Sequence, residues 1–269
     1  MDRPPTSGWP SSEIGGDVDT RVVGIEPDAI QLPENALRLT VVFNAPVAAE
    51  SALMHAIHLV DGTTGESVPD AFLKLNDPLL DQSQTRLTLV FNPGWIKRGV
   101  QTRQSAAPLV AGKQFVLIVS GRLRDAHGQH LGHVYRHRFS VGPPLRRRID
   151  LEAWDLTMPE LGSHEPLAVQ FDRVMDPKQS RERIAVLDPT GARLTVRARS
   201  DGAGLSVTSA GRWSSSGPYR IVVHPELEDV SGNRPQRAFD SQQLTPGLGL
   251  LARSFVLSKH ASTLPKVRP

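Results

Sequence analysis

Four histidines, His127, His130, His133 and His137, fall within an eleven-residue window of this 269-residue chain. Neutral imidazoles at such spacing can bind zinc or copper, and His133 and His137 share one face if Tyr135 lies mid-strand. The chain has no Cys, which excludes a thiolate metal site, a disulfide or a cysteine nucleophile within it. No metal-binding motif fits the histidine spacing, so the reading is a turn followed by a wet strand face. No metal and no cofactor is assigned.

Two aspartate turns come next, Asp125 to Gly128 and Asp229 to Asn233. Their oxygens are of the kind that hold calcium, but at most two acidic ligands stand close together where six or more oxygens are needed. An aspartate that caps its own turn, with Gly or Asn at positive φ, accounts for both without an ion. Hydrolytic chemistry finds no Gly-x-Ser-x-Gly elbow, no His-Glu-x-x-His and no phosphate-cradling loop. Asp155, Glu160 and Asp172 form no evident pair. The chain is read as not an enzyme, with no catalytic residue.

The elements that would position such groups follow from an internal repeat. Leu37 to Phe43 with Asn44-Ala45-Pro46-Val47 matches Pro166 to Phe171 with Asp172-Arg173-Val174-Met175-Asp176. Ile57 to Asp61 with Gly65 matches Ile184 to Asp188 with Gly191, each a strand running into an Asx-glycine turn. Arg86 to Phe91 matches Gly204 to Thr208, and Gly112 to Val119 matches Gly217 to Val223. Leu123 to Gln129 matches Leu227 to Asn233. In Arg86 to Phe91 the residues Leu87, Leu89 and Phe91 alternate with Arg86, Thr88 and Val90, the period of a half-buried strand. Each copy offers about seven short strands, and helix is confined to single turns near Ala49–His55 and Pro177–Arg183.

The fold class is therefore all-β: two tandem immunoglobulin-like antiparallel β-sandwiches. A flexible segment spans 1–20, the first sandwich 21–141, a linker 142–148, the second sandwich 149–257 and a tail 258–269. Phe43 and Phe171 should be buried at equivalent places. Trp154 and Trp213 are read as plugs of the core or of the junction between modules. The copies differ most between Phe91 and Gly112, where the first carries about 13 extra residues. This insertion holds Trp95, Lys97, Arg98 and Arg103. As an exposed patch it could stack a sugar or grip an anionic polymer; as a lid it would plug the sandwich end with Trp95 and leave its cations in water.

Composition agrees with many short strands joined by turns: 22 Gly, 22 Pro and 39% hydrophobic residues. The net charge is +3, with basic residues interleaved among acids, so no nucleic-acid partner is expected. The run Arg146-Arg147-Arg148 sits in a Pro-flanked stretch and reads as a solvated linker. No stretch is apolar enough to span a bilayer, and the polar residues 1–20 contain no export signal as written.

Phe43-Asn44-Ala45-Pro46-Val47, Gly112 with Phe115, and Leu123 to Gly128 resemble the bacterial immunoglobulin-like modules of S-layer and other envelope proteins. The resemblance covers nearly all of residues 21–257. More narrowly, Asn35 to Arg38, Arg86 to Gly99 and Leu227 to Asp229 are similar to a group of uncharacterised two-domain bacterial proteins. The resemblance implies the fold and an extracytoplasmic location, periplasmic or at the cell surface, but no site. The functional expectation is a non-catalytic structural or interaction module of the cell envelope, with an envelope protein or polysaccharide as partner. The alternatives are a carbohydrate- or polyanion-binding protein using the Trp95 loop, and a periplasmic metal-binding protein using the His127–His137 segment.

Overall fold

The computed structural model describes residues 19–92, 108–239, 251–259 and 262–264. In the first module β3 (Arg38–Phe43) turns Leu39, Val41 and Phe43 inward, and β6 (Arg86–Val90) turns Leu87 and Leu89 inward. The two strands are antiparallel, with Leu39 opposite Leu89 and Val41 opposite Leu87, so their apolar rows share one face. β1 (Val22–Glu26) and β5 (Leu79–Leu80) complete this sheet in the order β1-β3-β6-β5.

The facing sheet runs β2-β8-β7-β4, from β2 (Gln31–Pro33), β8 (Tyr135–Gly142), β7 (Gln114–Val119) and β4 (Ile57–Asp61). All its pairs are antiparallel except β2 with β8. In chain order these are the A-B-E-D and A′-G-F-C sheets of an immunoglobulin-type sandwich. Burying the two inner faces against each other makes the core, from Leu39, Phe43 and Leu89 on one side to Leu59, Leu117 and Phe139 on the other.

The second module repeats the plan. Its larger sheet runs β12-β13-β10-β9-β16, from β9 (Asp155–Met158), β10 (Leu167–Gln170), β12 (Val196–Ser200), β13 (Gly204–Ser209) and β16 (Ser262–Leu264). The smaller runs β11-β14-β15, from β11 (Ile184–Leu187), β14 (Tyr219–Val223) and β15 (Leu251–Phe255). Each module thus carries eight strands among the described residues rather than seven. β2 is the addition in the first; β16, laid on the edge strand β9, is the addition in the second.

The repeat holds at the level of pairing. Phe43 and Phe171 are both buried, and the residues four positions on, Val47 and Met175, bridge to Asp125 and Asp229 respectively. Asp61 Oδ1 accepts the N–H groups of Thr63 and Thr64, and Asp188 Oδ1 those of Thr190 and Ala192. Among the described residues helix is limited to a 3-10 turn at Ser51–Ala56, another at Leu151–Ala153, and α1 (Pro177–Arg183), where Asp176 Oδ1 caps the N–H of Gln179. Trp154 and Trp213 both belong to the second core. Trp154 meets Phe171 edge-on at 4.9 Å, and Trp213 donates its Nε1–H to Glu165 O at 2.8 Å.

Candidate functional site

Trp95, Lys97, Arg98 and Arg103 lie outside the described residues. The histidines do not converge. His127 and His130 sit on the exposed turn, with His130 Nδ1 2.7 Å from Arg122 O. β8 begins only at Tyr135, so His133 precedes the strand and shares no face with His137. His137 is not on the wet face. It lies in the inward row with Phe139, its ring stacked 6.1 Å away, and its Nε2 is buried with no hydrogen-bond partner among the described residues. Burial holds its imidazole below the ordinary value, against an opposite pull from Asp28. Among the described residues no three His, Asp or Glu side chains gather as metal ligands.

The most elaborate polar arrangement lies where the modules meet. Among the described residues two backbone bonds cross from one to the other: Leu37 N–H to Val230 O at 2.8 Å, and Asp28 N–H to Asp201 O at 3.0 Å. Asn35, just before β3, reads the linker as a base reads its partner. Its Nδ2 donates to Leu145 O at 2.9 Å and its Oδ1 accepts Leu145 N–H at 2.8 Å. The same Oδ1 accepts from Ser231 Oγ at 3.1 Å, while Asn233 Nδ2 donates to Leu145 O at 3.0 Å. Leu145 therefore joins both modules: the linker is tied down at its backbone there, while Pro143, Pro144 and Arg146 to Arg148 stay exposed to solvent. The arginine run takes part: Arg147 pairs with Asp172 at 2.8 Å.

Beneath these contacts sits a buried charge cluster. Arg173, with its side chain 1% exposed, donates to Asp172, to Arg147 O at 2.8 Å and to Asp229 Oδ2 at 3.3 Å. Asp229 also accepts the N–H groups of Ser231 and Asn233 and the Asn233 amide. Burial pushes the Asp229 carboxyl above the ordinary value, against the pull of those donors and of Arg173. Its counterpart Asp125 goes the other way. Burial pushes it up, but the N–H groups of Gln129 and His127 and the Thr20 hydroxyl outweigh this and hold it low. Among the described residues, the Asp125 oxygens accept from Thr20 and from the N–H groups of its own turn, as an aspartate that caps its turn does.

Nearer solvent, Arg38 reaches from β3 into the second module. Its Nε and Nη2 lie 3.1 and 2.9 Å from Asp176 Oδ2, and Nη2 lies 3.4 Å from Glu228 Oε2. Asp176 thus caps α1 with one oxygen and holds Arg38 with the other. Glu228 in turn accepts from Arg234 at 2.7 Å, and Glu26 pairs with Arg86 and, at 3.7 Å, with Arg181. A groove of about 480 Å³ runs along this seam, lined by Arg38 with Asp176, Glu26 with Arg86, Asp81 and Glu182. Of its acids, Glu26 and Asp176 already receive guanidinium protons and Asp81 is held by Ser83 and by the backbone N–H groups of Thr85 and Arg86, an arrangement suited to holding two bodies together. The acid–arginine set across the seam escaped sequence reasoning, because Arg38 and Asp176 are 138 positions apart.

No protein-family model matches the chain, and no curated protein matches it. Among solved structures it is similar to domains 1–6 of the surface layer protein SbsC, at 12% identity over 87% of this chain and 25% of that one, with a TM-score of 0.34. The S-layer protein rSbsC(31-844) gives 14% identity over 76% of this chain and 23% of that one, with a TM-score of 0.32. An E. coli alpha-2-macroglobulin gives 10% over 78% and 18%, with a TM-score of 0.30. The chain spans a quarter or less of each. The fold assignment itself rests on the strand orders given above. Among the described residues no helix is long and apolar enough to cross a membrane.

Proposed function

We propose that the chain is a non-catalytic structural module of the bacterial cell envelope, in which two immunoglobulin-like sandwiches are locked into one stiff unit. The observation that carries this reading is the seam, where Asn35 and Asn233 both hold Leu145 and Arg38 holds both Asp176 and Glu228. A flexible tether needs no such specification, whereas a spacer that transmits shape does. The envelope location is supported by the resemblance of Phe43 to Val47 and Leu123 to Gly128 to envelope modules. Binding through Trp95, Lys97, Arg98 and Arg103 remains compatible with this reading. Metal binding by the His127–His137 segment is not favoured, since the imidazoles point into different surroundings.

Small-angle scattering tests the stiffness. The intact chain should give one narrow distance distribution that fits the fixed arrangement, and Asn35→Ala with Arg38→Ala should broaden it. A wild-type profile that needs an ensemble of inter-module angles overturns the reading. Fractionation of producing bacterial cells tests the location: recovery solely with the cytosol would remove the envelope assignment.

A further inference from the structure

We infer that the outer face of the larger sheet in the second module binds an acidic polysaccharide, with Arg197 and Arg199 as the anion-reading residues. This site is separate from the seam and does not depend on the structural role proposed above. On β12, Val196 and Ala198 pack toward the core, which turns Arg197 and Arg199 outward, and both are exposed. Two residues apart on a strand, they stand about 7 Å from each other along one line. Opposite them on β13 are Thr208 and Ser206, in register with Arg197 and Arg199 respectively. The row continues from Ser206 to Ala168 and then to the exposed Thr157.

The result is a shallow trough of about 580 Å³ lined by Thr195, Val196, Ser206, Thr208, Ser209 and the two arginines, with Ala210 at its end and no acid among the described residues. Charge on an edge strand is common as protection against strand pairing, and it explains a basic residue there. It does not explain the hydroxyl row behind the arginines or the depression between them. Guanidinium forks match carboxylate and phosphate oxygens, and Ser and Thr hydroxyls both donate to and accept from sugar hydroxyls. Among the described residues no aromatic side chain lines the trough, whereas single-stranded nucleic acid is bound on stacking platforms. A flat face of small hydroxylated residues with two adjacent anion readers fits an extended acidic glycan.

Affinity electrophoresis of the full chain tests this with polygalacturonate as a carboxylate polymer, a phosphomannan as a phosphate polymer, dextran as a neutral one and oligo-dT as a nucleic acid. Retardation by one or both acidic glycans, weakening with salt, is expected, and whichever glycan retards more identifies the anion. Arg197→Gln with Arg199→Gln should weaken it by about tenfold or more, at unchanged melting temperature. The control is Arg136→Gln with Arg138→Gln, an exposed pair at the same spacing on β8, which should leave binding nearly unchanged. Equal losses from both double variants would reduce the effect to net charge and overturn the assignment. So would retardation by oligo-dT alone, or by no polymer at all.

Discussion

Asp125 and Asp229 occupy the same position of two copies of one module, each bridging to the residue four positions past a buried phenylalanine, yet their carboxyls are driven in opposite directions. The difference lies in what covers them. The turn after Asp125 is exposed from Ala126 to His130, whereas Ser231 and Asn233 after Asp229 are fully buried beneath the first module and the linker. The same landmark of the repeat caps an exposed turn in one place and builds a joint in the other.

Removing the two carboxylates should therefore have unequal effects. Asp229→Ala strips a buried arginine of one of its two acids and should cost about 3–5 kcal/mol. Asp125→Ala frees turn N–H groups that water can reach, and should cost about 1–2 kcal/mol. Denaturant melts of both variants check this; similar losses would mean that the junction does not deepen the role of Asp229.

At Gly202 the second module packs tightly against Pro27 of the first. Its φ is +100°, and a Cβ there would lie 2.5 Å from Pro27 Cβ and 3.1 Å from Met175 O. Gly202→Ala should cost at least about 2 kcal/mol through backbone strain and overpacking, and should broaden the scattering profile. Gly211, with open space at its Cβ, is the control and should tolerate alanine.

Phe43 and Phe171 are 3% and 6% exposed in separate cores. Changing either to Ala should cost about 3–5 kcal/mol from lost burial and the cavity left behind. Phe171→Ala should also alter Trp154 fluorescence, because the two rings are in edge contact. A loss below about 1 kcal/mol from either would mean that its core has collapsed to fill the space.

His137 should make stability depend on pH. Its folded-state value lies below the ordinary 6.5, so around that pH the unfolded chain takes up the proton more readily. Its contribution is complete above the ordinary histidine value and is lost as pH falls through the folded-state value. His137→Phe keeps the stack on Phe139 and removes the unpartnered nitrogen. It should raise stability by about 1 kcal/mol at neutral pH and flatten the slope from there toward pH 5. Thermal melts across that range decide it; an unchanged slope would place the titration elsewhere.

Strand alternation such as Leu87-Thr88-Leu89, the Asx turns at Asp61 and Asp188, and the repeat itself were legible in the sequence, because each depends on neighbours a few positions apart. They were enough to place two all-β sandwiches and to bury Phe43 and Phe171. Asn35 to Arg38 and Leu227 to Asp229 stood out in the sequence through the repeat and the resemblance, each within its own copy; in the fold they face each other across the seam. That meeting depends on the angle between the modules, which no local pattern encodes. The inward turn of His137 likewise follows from where β8 begins. Arg197 and Arg199 became a pair backed by hydroxyls only once β13 was laid beside β12 in one register. Local chemistry chose the strands, and long-range register and docking decided which of their residues face a partner.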